Sequence, residues 1–277
     1  MESRRIPVNG LHFGVILSDE IQAGQETLVL LHGFTGSAAN WGNLFPHLQK
    51  RGRQLIAIDM LGHGQSDAPD DPERYSIAHC QADILALMEI LGVSVNQAIL
   101  LGYSMGGRIA LYTAFSGFFR ALVLESASAG LSDSLERQQR QQNDNELASR
   151  IEREGVEDFI DYWEHIPLFA SQENLSDTTR AALRAQRLRN QARGLAHSLR
   201  GVGTGVQPDL YGKLHELNLP VLLLAGSLDL KFCQIARQMA GLLPQAQLRI
   251  VQGAGHTIHL ERPEYYIHLV NAFCLAV

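Results

Sequence analysis

Short apolar runs alternate with longer amphipathic stretches along most of the chain. TLVLLHG (27–33), QLIAIDMLG (54–62), QAILLGYS (97–104), RALVLES (120–126), PVLLLAG (220–226) and LRIVQGAGH (248–256) each pattern as a strand running into a loop. Their Val, Ile and Leu fall on consecutive positions, as in parallel strands buried on both faces. Helical patterns occupy 38–51, 77–92, 105–116, 231–243 and 262–275. This strand–helix rhythm predicts an α/β fold, a mostly parallel sheet flanked by helices. LHFGVIL (11–17) is expected to add an antiparallel edge strand.

The rhythm breaks between about 130 and 216, where the sequence is polar, rich in Arg, Glu and Gln, and helical in propensity. Strand patterns resume at Pro220. The expected organisation is one core domain, 1–129 with 217–277, and a helical cap inserted at 130–216. A polar linker or a second independent domain is the competing reading. Phe159, Trp163, Leu168 and Phe169 argue against a mere linker, because they give the segment something to bury.

Composition narrows the picture modestly. The chain has 277 residues, 45% of them hydrophobic, and a formal net charge of −6. A mildly acidic chain has no bulk attraction for nucleic acid or an anionic membrane. Cys80, Cys233 and Cys274 are few, odd in number and far apart, which speaks against a disulfide framework or a thiolate zinc site. No secretory leader and no run of about 18 apolar residues is apparent, so a soluble, cytoplasmic protein is expected. The histidines show no metal-ligand spacing, and no metal is expected. RGVGTG (200–205) lacks the following Lys-Ser/Thr of a phosphate loop. Nothing in the sequence sets the oligomeric state, and a monomer is compatible with it.

The chemistry concentrates at GYSMG (102–106), a G-x-S-x-G between a strand pattern and a helix pattern. A serine on such a tight turn projects above the sheet at a helix N-terminus, where negative charge is favoured. It needs a base, and the base needs an orienting acid, in the chain order Ser, Asp, His. Asp229 in LAGSLDLKF and His256 in GAGHTIHLE lie just past strand ends, on the sheet edge that carries Ser104. His259 is a rival base and Asp59 a rival acid; Asp59, like His32 and His63, reads better as loop chemistry. The backbone N–H groups of Phe34 and Met105 are the expected oxyanion donors. Arg108 stands one helical turn after Ser104. With the many cap arginines it suits either a solvated surface or a clamp for substrate carboxylates.

HGFTGS, GHGQSDAP, GYSMGGR and GAGH resemble the α/β-hydrolase superfamily. A narrower resemblance runs through GYSMGGRIALYTA, LVLESASAGL, PLFASQ, LRNQARGLAHSLRGVGTGVQPDL and LAGSLDLKF, from about 27 to 265. These segments resemble the 2-succinyl-6-hydroxy-2,4-cyclohexadiene-1-carboxylate synthases of menaquinone (phylloquinone) biosynthesis. That resemblance implies a lyase that eliminates pyruvate from a polycarboxylate, with no cofactor. It makes Ser104, Asp229 and His256 the triad, with Ser104 acting as a base. Tyr103, Arg108, Arg140, Trp163 and Arg187 would contact substrate, with Arg137 and Arg189 as neighbouring alternatives. The same triad would also serve a carboxylesterase or C–C bond hydrolase with Ser104 as covalent nucleophile. A non-catalytic ligand receptor on a hydrolase scaffold is the reading of another class.

Overall fold

The structure is a computed structural model, and it describes residues 1–49 and 52–277. The strands are β1 (Glu2–Val8), β2 (Leu11–Leu17), β3 (Thr27–Leu31), β4 (Gln54–Ile58), β5 (Ala98–Tyr103), β6 (Ala121–Glu125), β7 (Val221–Gly226) and β8 (Ala246–Val251). They form an eight-stranded sheet in the order β1-β2-β4-β3-β5-β6-β7-β8. β4 through β8 pair in parallel, whereas β1 with β2 and β2 with β4 are antiparallel. This is the α/β class that the alternation predicts. The central runs β3, β4, β5 and β6 are buried almost throughout, which explains their unbroken apolar sequence.

The N-terminus departs from expectation. β2 is not the edge; β1 lies outside it. Arg4 and Arg5 disguise β1, but Ile6 and Val8 alternate into the core and Asn9-Gly10 closes the hairpin with φ of 48° and 81°. An Asn-Gly pair is the strong short-range hairpin signal, because both turn residues need positive φ. The helix expected over 38–51 is instead two single turns, Ala38–Trp41 and α1 (Phe45–Leu48), separated around Gly42; residues 50–51 lie outside the described residues.

The order reverses between β3 and β5: the chain steps from β3 out to β4, then returns to the other side of β3. Open sheets leave a crevice at the carboxyl ends of such strands. Here β3 feeds the loop containing Phe34, and β5 feeds Ser104. Helices α2 (Ile77–Ile90) and α3 (Met105–Ala114) follow β4 and β5. Between β6 and β7 the chain forms α4 (Ser134–Trp163), α5 (Asp177–Arg187) and α6 (Ala192–Val202), with shorter turns between. α4 is polar but buries Asp144, Ala148 and Ile151, one stripe at helical spacing. That stripe packs with Phe159, Ile160, Leu195 and Leu199 into a small core of its own, against which Phe34 and Trp163 also rest. α6 meets the loop after β4 so closely that a Cβ on Gly194 would lie 2.4 Å from the Gly62 carbonyl oxygen. The chain ends with α7 (Leu230–Ala240), α8 (Ile258–Glu261) and α9 (Pro263–Ala276).

The glycines of the serine turn are sterically required. A Cβ on Gly102 would stand 2.3 Å from the Gly106 oxygen, and one on Gly106 would stand 2.4 Å from the Leu31 oxygen. Both clashes are with backbone, which cannot swing aside. Gly106→Ala is therefore expected to lose about 3 kcal/mol of stability, the upper range of overpacking penalties. Gly212→Ala, with open space around it, should be close to neutral. Denaturant midpoints of the two variants measure the contrast.

Candidate active site

Ser104 caps α3 with φ 51° and ψ −109°, a conformation that non-glycine residues rarely adopt. The strain is held by the glycine contacts above and by the Ser104 N–H, which donates to the Glu125 carbonyl at 2.9 Å. His256 Nε2 lies 3.0 Å from Ser104 Oγ, and His256 Nδ1 lies 2.7 Å from Asp229 Oδ2. The carboxylate can only accept, so Nδ1 carries the proton and Nε2 is free to accept from the serine hydroxyl. Asp229 also caps α7, its Oδ1 accepting from the Phe232 N–H at 3.2 Å. The structure thus brings together three residues that are 125 and 27 positions apart in sequence.

The His256 loop is gripped from two sides. Ser126 Oγ donates to the His256 carbonyl at 2.8 Å. Glu261 accepts from the N–H groups of Gly255 and Thr257, which flank the histidine, at 2.6 and 3.1 Å. The rival base His259 does not reach Ser104. It is buried against Glu125, with Nδ1 2.9 Å from Oε2, and its own N–H donates to Oε1 at 3.0 Å. Asp59 is likewise not in the triad: its carboxylate accepts from the N–H groups of Ala38 and Gln65 and holds those loops in place.

A cavity of about 450 Å³ opens on Ser104 and His256. Its wall includes Phe34 and Met105. Neither N–H of these two residues donates to a described residue. Tyr103, Arg108, Arg140 and Trp163 line the same space. Tyr103 OH lies 2.8 Å from Thr257 Oγ1, and burial raises its pKa. Trp163 stands edge-on to Phe34 with centroids 5.4 Å apart, and its indole N–H has no partner among the described residues. Arg140 pairs with Asp144 at 2.8 Å.

Arg108 is the unusual group. It is 9% exposed, and its Nη1 donates to the Val202 carbonyl at 2.7 Å and to Gln207 Oε1 at 3.3 Å. No carboxylate among the described residues forms an ion pair with it. Burial, with a smaller contribution from Arg140, lowers its pKa to about 10, against an opposing pull from the more distant Asp144 carboxylate. A desolvated cation without a directly paired carboxylate is costly unless something else supplies the charge.

Arg187 lines a cavity that adjoins the one at Ser104, with Phe169 common to both walls, and its charge is felt at Tyr103. Its guanidinium lies 5.2 Å over the Phe169 ring, and Nη2 donates to Gln172 Oε1 at 3.3 Å. Gln172 Nε2 donates in turn to Thr257 Oγ1 at 2.9 Å, which connects Arg187 to Tyr103 through two side chains. Arg137 turns back on its own chain, bonding the Leu131 carbonyl. Sequence reasoning passed over Glu125, Gln172, Phe232 and Lys231. The one signal available was a charged residue closing an apolar strand (Glu125) or following the acid by two positions (Lys231). Among the described residues no cluster of three or more His, Cys, Asp or Glu side chains is arranged to hold a metal ion.

His32 and His63 brace the two loops under Phe34. Their rings are 5.0 Å apart, and His32 Nε2 accepts from the Met60 N–H. Burial holds both neutral, with pKa values lowered to about 4 for His32 and about 3 for His63. Each folded value lies below the unfolded value, so the stabilisation is complete above about pH 6.5 and is lost as the pH falls towards those values. Going from pH 7.5 to 5 should cost on the order of 2 kcal/mol per ring. Urea unfolding at the two pH values measures this, and His63→Phe should remove about half of the dependence.

Comparison with known proteins places this arrangement among relatives. Residues 26–263 match the alpha/beta hydrolase fold family. A Bacillus subtilis protein provisionally named 2-succinyl-6-hydroxy-2,4-cyclohexadiene-1-carboxylate synthase is 42% identical over 271 residues, 97% of each chain. The Serratia proteamaculans protein named for the same synthase is 35% identical over 248 residues, covering 88% of this chain and 91% of that one. The solved structure of MenH from S. aureus superposes with a TM-score of 0.89 at 32% identity, covering 95% of this chain and 98% of that one.

Proposed function

The chain belongs to the α/β-hydrolase fold family and, within it, to the family of the 2-succinyl-6-hydroxy-2,4-cyclohexadiene-1-carboxylate synthases. From that premise we propose that it is the lyase itself. It eliminates pyruvate from 2-succinyl-5-enolpyruvyl-6-hydroxy-3-cyclohexene-1-carboxylate to give the cyclohexadiene. Ser104, His256 and Asp229 are the catalytic residues. His256, oriented by Asp229, takes the hydroxyl proton of Ser104. The serine oxygen removes the ring proton beside the succinyl carbonyl, the C–H electron pair forms a double bond to the adjacent ring carbon, and the existing ring double bond shifts by one position towards the carbon that carries the enolpyruvyl group. The C–O bond to the enolpyruvyl group breaks with its electrons, and the departing enolate takes up a proton to become pyruvate. The Phe34 and Met105 N–H groups stabilise negative charge as it builds on a carboxylate or enolate oxygen. The helical segment 130–216 is the cap that closes the site and excludes water. The reaction belongs in the cytoplasm; no helix among the described residues is long and apolar enough to cross a membrane.

The observation that carries this reading is Arg108: buried, without a carboxylate partner, and in the wall of the cavity that contains Ser104. A neutral ester offers it nothing, whereas a carboxylate relieves it. Arg140, and Trp163 with its unpartnered indole N–H, are further substrate contacts. Tyr103 is held beside the serine, and Arg187 acts on it as a positioning residue through Gln172 and Thr257. Incubating the pure protein with the enolpyruvyl precursor should release pyruvate stoichiometrically with the diene chromophore. Absence of release, alongside efficient turnover of p-nitrophenyl esters, would establish the carboxylesterase reading instead.

A further inference from the structure

Three cations reach the cavity at Ser104: Arg108, Arg140 and Lys231. Lys231 differs from the other two. Arg108 is tied to Val202 and Gln207, and Arg140 to Asp144. Lys231 makes no ion pair and no hydrogen bond with any described residue. It sits in the first turn of α7, two positions after Asp229, and Phe232 next to it packs edge-on against His256 with centroids 4.6 Å apart. Lys231 and Ile235, one turn apart on the same helix face, both line the cavity. A lysine at the start of a helix is electrostatically misplaced, since the macrodipole already makes that end positive. The acid at that end, the N-cap Asp229, is engaged by His256 and by the Phe232 N–H. The position therefore adds positive charge to the site at some cost to the helix.

We propose that Lys231 is a substrate-binding residue that takes one of the three carboxylates of the substrate, completing a set with Arg108 and Arg140. This inference rests on the lyase reading above. The sequence resemblance puts Arg187 in that set, but Arg187 lies in the neighbouring cavity, stacked on Phe169 and bonded to Gln172. Lys231 adds a third cation to the wall of the cavity at Ser104. An ammonium on a flexible stem suits a carboxylate whose position varies as the cap closes, where a planar fork would demand one geometry. Because Lys231 is exposed, its charge contributes to binding through a screened, salt-dependent attraction.

The test compares Lys231→Met and Lys231→Arg with the parent in pyruvate release. The methionine variant should raise KM about 10-fold at low salt and leave kcat within about 3-fold. Its KM should also depend less steeply on ionic strength. Lys231→Arg, which keeps the charge, should restore KM to within about 3-fold of the parent. The side chain is solvent-exposed, so Lys231→Arg should unfold at the parent's midpoint and Lys231→Met at or slightly above it. An unchanged KM in Lys231→Met, or an arginine variant as poor as the methionine one, overturns the proposal while leaving the lyase reading intact. Failure of the parent protein to release pyruvate overturns the lyase reading instead. Direct titration with succinate, read by calorimetry, gives an activity-free check: the methionine variant should bind it about 10-fold more weakly, and equal binding counts against Lys231.

Discussion

Ser104→Ala is expected to lower the rate of pyruvate release by about 10²–10⁴-fold while leaving the fold intact. The range is what a positioned general base contributes. A covalent nucleophile is worth more: in serine hydrolases its removal costs about 10⁶-fold, with residual catalysis supplied by the oxyanion donors and binding. The size of the loss therefore separates the two roles that the same triad could play. Stability should not fall, for a local reason. Alanine tolerates φ 51° no worse than serine, so the strain of the turn is unchanged. Only the Oγ bond to His256 is removed, and His256 keeps its bonds to Asp229 and Ser126. Single-turnover kinetics and a thermal unfolding curve on the same sample measure both quantities. A loss near 10⁶ with an acyl adduct trapped on the parent enzyme would assign Ser104 to nucleophilic chemistry.

Much of this centre is legible in the sequence because it is built from local necessities. The glycines around Ser104 are demanded by backbone atoms 2.3–2.5 Å from where a Cβ would stand. Asp229 and His256 follow strand ends, and a parallel sheet delivers every such end to one edge. What escaped is set by long-range packing. β1 hides behind its arginines, although Asn9-Gly10 announces the hairpin. The place of Arg187 depends on a ring, Phe169, and an amide, Gln172, that come from a different turn of the helical segment 130–216. Whether His259 or His256 serves Ser104 depends on Glu125 having claimed His259 from across the sheet, 134 residues away. No periodicity encodes those choices.

The same distinction governs Arg108, whose position beside Ser104 is plain in the sequence and whose energetic state is not. Arg108→Met should reduce kcat/KM for pyruvate release about 10²–10³-fold. It should change stability by less than about 2 kcal/mol, because two effects oppose each other. Removing the guanidinium leaves the Val202 carbonyl without its 2.7 Å donor, at a cost of about 1–3 kcal/mol. It also relieves a buried charge that no carboxylate pairs directly, a change of opposite sign. With substrate bound the balance shifts. A carboxylate beside Arg108 gains a charge-assisted pair with a buried guanidinium, and truncating one partner of such a pair costs about 2–5 kcal/mol. Arg108→Lys keeps the charge but loses the fork, and should fall about 10-fold below the parent. The activity and the unfolding free energy of the three proteins, measured side by side, decide the matter. If Arg108→Met loses activity only in proportion to its stability, Arg108 is a structural tie between α3 and α6. If it loses activity at near-constant stability, the cost of burying this charge is met by the substrate.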